Sequence, residues 1–267
     1  MQPMNTPYKC LNCNQEVSGN FCNNCGQKTS IQRITFLHFI KHDFLHGLFH
    51  LDKGMLFTAK ESLTRPGKAA IDYIEGKRIR YYNVFYFILI LIGINIFFGN
   101  YYEELSEIYL GETSKKVNTV LNQKLDAFFK NYAKILIFSF VPMFAINSFI
   151  LFRKRKFNFS EHIVIAGITF LGILLISTFS KLFLFFEFTE NFDIIANITS
   201  GISAVCLFVF PIFSYYQTFK DYYKKIPFAF RILLFTVMIV MEMTVFLFIT
   251  IGFLSEWVFG NGSKIDV

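Results

Sequence analysis

The stretch Gly76-Lys77-Arg78-Ile79-Arg80 runs directly into YYNVFYFILILIGINIFFG at 81–99, and this junction decides the class of the chain. The apolar part is close to the ~20 residues that cross the hydrocarbon of a bilayer. A basic run at one end marks the side that stays in the cytoplasm. Four more apolar runs follow, at 133–152, 163–186, 194–216 and 228–254. Backbone groups in lipid must pair within their own segment, so each run is expected to be a helix. Period-two alternation is absent, which argues against a β-barrel. Pro142 and Pro211 fall inside the second and fourth runs and are expected to kink them.

The composition agrees. At 54% hydrophobic and 19% aromatic, with 37 Phe, the chain is far more apolar than a soluble domain. A net charge of +7 would suit nucleic acid, but the basic residues cluster beside the apolar runs, so membrane orientation explains them better. With a cytoplasmic N-terminus, the inner segments are 1–80, 153–162 and 217–231. They carry nineteen of the 26 Lys and Arg and only eight of the 19 Asp and Glu. Arg153-Lys154-Arg155-Lys156 inside stands against Glu187, Glu190 and Asp193 outside. The expected orientation is therefore N-terminus in the cytoplasm and C-terminus external. Tyr81, Tyr82, Tyr215 and Tyr216 would anchor inner ends, and Tyr101, Tyr102 and Trp257 outer ones. In the outer loop at about 100–132, Val117, Leu121, Leu125, Phe128 and Tyr132 recur at helical spacing and predict an amphipathic helix leading into the second span.

Upstream stand Cys10-Leu11-Asn12-Cys13 and, after eight residues, Cys22-Asn23-Asn24-Cys25. Two Cys-x-x-Cys pairs so spaced can give four thiolates to one tetrahedral ion, usually structural Zn2+. Asn14 and Gly26, which follow the pairs, tolerate the positive φ of a tight knuckle. A segment this short has no apolar core, so the metal would hold it together. Two disulfides would need an oxidising compartment, c-type haem needs a His after the pair, and rubredoxin-like iron is a further alternative. Thiolate-bound zinc suits the reducing cytosol, in agreement with the charge count. Cys206 lies in an apolar run as a small packing residue. No cleavable signal peptide is expected before residue 81.

Between knuckle and first span, Leu37, Ile40, Phe44 and Leu48 would form one apolar stripe of an interfacial helix. His38, His42, His46 and His50 lie opposite, with Asp43 and Asp52 near. Histidines four apart can share a metal, but the face drifts about 40° per step, so only neighbours such as His42 and His46 could hold one ion unaided. The plainer reading is a polar face at the lipid headgroups that titrates near about pH 6.5. A second segment, 55–63, ends at the turn Arg65-Pro66-Gly67.

His50-Leu51-Asp52-Lys53, Arg65-Pro66-Gly67 and Gly76-Lys77-Arg78-x-Arg80-Tyr81, set behind Phe21-Cys22-x-x-Cys25-Gly26-Gln27, resemble a bacterial family of multi-pass membrane proteins. That family has an N-terminal zinc ribbon and no assigned activity. The resemblance covers roughly the first 90 residues and implies an architecture rather than a reaction. Relatives are expected to carry a proline shortly after the position of Tyr81, where Asn83 and Val84 stand here.

Inside the spans Glu242 is the outstanding residue, between Met241 and Met243. A carboxylate at mid-bilayer costs a few kcal/mol even on permissive scales, so it should be protonated or face the bundle interior with a partner. Its functional reading is a proton or solute pathway, and its structural reading is a hydrogen bond between helices. Asn95, Asn147, Asn197, Ser203 and Thr244 are the available polar groups. The run Asn197, Thr199, Ser200, Gly201 and Ser203 reads as packing surface, as do Gly167 and Gly172.

The sequence has no Walker loop, Rossmann glycines, nucleophile elbow or zinc-protease motif. The expectation is an all-α integral membrane protein of the bacterial inner membrane. It divides into a zinc-ribbon knuckle at 1–30, cytoplasmic amphipathic helices at 31–80, a five-span bundle at 81–257 and an external tail at 258–267. Its partners would be the lipid bilayer and a cytoplasmic protein docked by the knuckle, in a non-enzymatic scaffold role. The alternatives are a small transporter or channel using Glu242, and a metal-dependent membrane enzyme using the His38–His50 ladder.

Overall fold

The computed structural model describes residues 8–29, 53–109, 120–189, 193–255, 258–259 and 263–264. Helices α1 (Lys53–Thr64) and α2 (Pro66–Ile74) form a tight hairpin ahead of five long helices. These are α3 (Val84–Tyr109), α4 (Val120–Leu151), α5 (Phe159–Leu184), α6 (Asp193–Phe219) and α7 (Lys225–Leu254). Short 3-10 turns at Phe185–Phe188 and Lys220–Tyr222 follow α5 and α6. The N-terminal knuckle pairs β1 (Tyr8–Lys9) with β2 (Glu16–Val17), and β3 (Val258–Phe259) pairs with β4 (Ser263–Lys264) near the C-terminus.

Four helices are long and apolar enough to cross a membrane: Val84–Tyr109, Phe159–Phe188, Ile194–Tyr222 and Lys225–Leu254. In α4 the apolar part is shorter, Ile135–Leu151, and it continues an unbroken helix that begins at Val120. The surface fits a lipid solvent. Ile194, Ile198, Ile202, Val205 and Phe208 stand in a row along α6, each more than half exposed. Bare apolar rows of that length do not face water in soluble monomers.

At the centre lies α5. It touches α1, α2, α3, α4 and α6. Of its most apolar stretch 61% is buried, against 6% for α7, which borders the bundle. A helix apolar on every side belongs inside protein or lipid, and α5 has taken the protein side. Its start is fixed by a capping box: Asn158 Oδ1 accepts from Glu161 N and Glu161 Oε2 accepts from Asn158 N, both at 2.8 Å. The start of α3 is capped by Asn83, whose Oδ1 accepts from Phe85 N at 3.0 Å and Tyr86 N at 3.4 Å. The free N–H groups of the first turn are thus satisfied by an amide side chain.

Contacts along α3 and α5 give their relative direction. Gly167 lies against Val84 and Phe85, while Asn95 bonds Ser177 and Thr178 further on, so the two helices run parallel. Pairs Thr169–Ser214 and His162–Phe219 place α6 antiparallel to α5. The basic segments therefore gather at one end: Arg155 reaches Glu75, and the Lys154 N–H bonds the Tyr223 hydroxyl.

The hairpin does not lie apart from the bundle. Both α1 and α2 pack on α5, and α2 also packs on α6. Two glycines make this approach feasible. A Cβ on Gly67 would fall 2.5 Å from Thr218 N, and one on Gly172 would fall 2.3 Å from the Phe210 ring and 3.1 Å from Ser62 O. The small-residue run of α6 is a different case. Gly201 has open space where a Cβ would go, and Asn197 and Ser200 are exposed, so the run is not packed within the described chain. Gly67→Ala and Gly172→Ala should each destabilise by about 1–3 kcal/mol through forced repacking. Gly201→Ala should be neutral or stabilising by up to ~1 kcal/mol. Thermal unfolding in detergent checks the ranking.

Candidate metal centre

Cys10, Cys13, Cys22 and Cys25 converge, with their four Sγ atoms within 4.8 Å of one another. Cys10 and Cys25 are 3.6 Å apart and Cys13 and Cys22 are 3.5 Å apart. These separations are far beyond the ~2.05 Å of a disulfide. They match the edge of a tetrahedron around an ion with bonds of about 2.3 Å. All four thiols are free. The donor set thus fits a single thiophilic ion.

The local fold repeats itself. Asn14 N donates to Cys10 O at 2.9 Å and Gly26 N to Cys22 O at 2.8 Å. Cys10 N bonds Gln15 O and Cys22 N bonds Gln27 O, each at 2.8 Å. Asn14 and Gly26 have φ of 64° and 73°, the left-handed values that turn the chain back behind the second thiol of each pair. The Gln15 backbone N–H, followed by the Asn24 side chain, draws the Cys13 thiol down to about 6, while the adjacent Cys22 thiol, against the pull of the Cys25 backbone N–H, is pushed up to about 11 by burial and by its bond to Cys13.

The knuckle is fastened to the bundle by one side chain that the spacing argument passes over. Gln27 is 3% exposed; its Nε2 donates to Gly76 O at 2.7 Å and its Oε1 accepts from Ile79 N at 3.3 Å. Arg80 closes the junction from the other side, donating to Asn12 Oδ1 at 3.1 Å and to Asn12 O at 3.4 Å. The basic run 76–80 is therefore a seat for the knuckle as well as a flank of the first span.

Behind that seat lies a polar layer belonging to the hairpin. Glu61, 2% exposed, pairs with Arg65, and this bond holds the guanidinium above its usual value. Asp72 takes Lys77 at 2.6 Å and raises it likewise. Burial, then the charge of Asp72, pushes the Tyr81 phenol up. Thr58 Oγ1 donates to Gly54 O and accepts from Tyr82 N, both at 2.7 Å. Each of these groups has its partner, although Ser62 Oγ in the same hairpin is buried without one, and the layer positions the knuckle and the start of α3.

The other sequence candidates fall differently. His38, His42, His46 and His50 lie outside the described residues. Glu242 faces a neighbouring helix: Asn147 Nδ2 donates to its Oε2 at 2.9 Å. Asn95 sits in a network with Ser177, Thr178 and the Leu174 carbonyl. One pair was not read from the sequence, Ser148 Oγ and His162 Nδ1 at 2.8 Å. Its residues lie 14 apart across a loop, so no local periodicity announces them. Both are buried, the rings of Phe149, Phe157 and Phe219 surround His162, and the neighbouring Glu161 carboxylate is committed to the helix cap. The pair joins α4 to α5 in the interior of the described bundle. Between α4, α5, α6 and α7 there is a cavity of about 500 Å³ lined almost wholly by apolar groups, among them Phe144, Phe208, Pro211, Phe235 and Met243.

Compared with known proteins, residues 52–94 match a family described as "Protein of unknown function (DUF3667)". The matched stretch covers the hairpin, the seat of the knuckle and the first part of α3. No curated protein and no solved structure matches the chain.

Elemental analysis should find one ion per chain, lost on replacing the four cysteines by Ser. A second equivalent, released by His42→Ala, would assign a further metal to the histidine ladder. Gln27→Ala should keep the ion but leave Ile79 N unpaired and Gly76 O with the Arg78 N–H as its remaining donor, at about 1–3 kcal/mol. Hydrogen exchange at 8–29 and 76–81 should rise in that variant.

Proposed function

We propose that this chain is a five-span protein of the bacterial inner membrane, non-enzymatic, whose cytoplasmic zinc knuckle docks a protein partner. The observation that carries the reading is the double anchorage of Gln27 and Arg80, which holds a metal-built module in a fixed pose on the bundle. A knuckle needed only for its own fold has no use for such a mount. Its free face bears Leu11 and Phe21, 51% and 58% exposed, side chains of the kind that anchor interfaces.

Five crossings are supported by the direction of the helices. Because α3 and α5 run parallel, the chain must return between them, and α4 with its apolar Ile135–Leu151 is the segment that lies there. Gathering of the basic loops at the knuckle end supports a cytoplasmic N-terminus and an external C-terminus. Four thiolates in a reducing compartment support zinc. For Glu242, the bond to Asn147 supports a tie between α4 and α7.

A photo-crosslinker at Leu11 or Phe21 should give the same discrete adduct in cells, absent when placed at Lys68 and lost with Cys22→Ser. Adduct formation at neither position would overturn docking. In liposomes, Glu242→Gln should leave ion and proton flux unchanged, and a loss would move the function into the spans.

A further inference from the structure

At the basic end of the bundle two cations meet on one aromatic ring. Lys154, just past α4, donates its backbone N–H to the Tyr223 hydroxyl at 3.0 Å and holds its Nζ 5.0 Å from the Tyr223 ring centroid. The Arg231 guanidinium, from the second turn of α7, lies 5.0 Å from the same centroid. Arg231 Nε is buried and has no hydrogen-bond partner. Among the described residues no carboxylate pairs with Lys154 or Arg231. Arg155 next door does have a carboxylate, Glu75 at 2.8 Å, and lies between the rings of Phe157 and Tyr222, although its Nη1 is likewise buried without a partner.

Like charges drawn to one ring repel, and a buried guanidinium N–H without an acceptor is unfavourable. A water molecule could accept the hydrogen bond but would not balance the charge. One anion near the ring would do both. The planar N–H edge of Arg suits an oxyanion with two oxygens to offer, and Lys adds a point charge to the same group. Where helices leave the hydrocarbon, the oxyanion at hand is the phosphate of a lipid headgroup, and basic clefts between helices take such groups.

We propose that Arg231 and Lys154, gathered on Tyr223, form a binding site for a phosphate group, that of an anionic phospholipid. The site rests on the bundle lying in a membrane and is independent of partner docking, since it involves no residue of the knuckle. The lipid would join the end of α4 to the start of α7, which close on each other without an ion pair.

Native mass spectrometry of the full chain in mild detergent, titrated with phosphatidylglycerol, tests the site. The wild type should keep one phosphatidylglycerol after weaker adducts are stripped. Arg231→Gln and Lys154→Gln should each cut the retained fraction about fivefold or more, while Lys68→Gln, at an exposed position of α2, should not. Lys154 is exposed and past the helix end, so its substitution reports binding even if Arg231→Gln unfolds. Retention unchanged in Lys154→Gln, or equal losses in Lys154→Gln and Lys68→Gln, would overturn the proposal. Inorganic phosphate is titrated in parallel. Its failure to displace the lipid at millimolar concentration supports a phospholipid, and displacement would overturn the lipid as the source.

Discussion

The close seating of the α1–α2 hairpin on α5 and α6 is the constraint from which the rest of the architecture follows. It depends on two missing Cβ atoms. At Gly67 the backbone of α2 comes against the backbone of Thr218, and at Gly172 the Phe210 ring and the Ser62 carbonyl fill the space a side chain would need. Pro66 fixes the first turn of α2, and the Glu61–Arg65 pair closes the corner before it. With the hairpin seated, the loop after it is held at the surface of the bundle, and Gly76 and Ile79 present the backbone groups that Gln27 binds. The family match at 52–94 covers this same unit. In this chain the matched stretch coincides with the mount between knuckle and membrane helices.

Much of the scaffold could be read from the sequence because its signals are local. The paired Cys-x-x-Cys spacing places four thiols together, and the residues after each pair take left-handed φ because the turn needs it. Arg65-Pro66-Gly67 breaks the chain between two helices as a proline followed by glycine should. The capping box Asn158-x-x-Glu161 was not read from the sequence, and it begins α5 four residues before the apolar run at 163. The first apolar run was read as 81–99, yet α3 continues to Tyr109. Hydropathy reports where lipid ends, whereas the helix ends where its backbone loses partners.

The arrangement of the spans was not legible, for a physical reason. All the runs are apolar on every side, so no face of any of them points to a neighbour. That α5 is central and α7 peripheral depends on contacts between distant segments. The polar residues carry that information only once partners are known. Asn95 was a lone amide in the sequence and becomes a clamp on Ser177 and Thr178. Gln27 closed the motif Phe21-Cys22-x-x-Cys25-Gly26-Gln27, but nothing local showed that it would bind the backbone of residues 76–79.

Polar groups within the bundle fall into two classes. Thr169 with Ser214, Ser148 with His162, and Asn147 with Glu242 each bond across a helix pair. Such a pair is modestly stabilising and fixes register, because a shift of one turn would strand both members in an apolar setting, although Asn147 Oδ1 is buried without a partner of its own. The buried cationic N–H groups without acceptors, on Arg155 and Arg231, belong to the basic end. The two facts have a common origin. The excess of positive charge that fixes orientation in a membrane leaves more cations at one end than the chain has carboxylates to meet them there. Asp72 and Glu75 are already taken by Lys77 and Arg155. A protein that orients itself by charge thus creates a deficit of anions at the surface where lipid phosphates are densest, and the bilayer is placed to make good what the sequence leaves out.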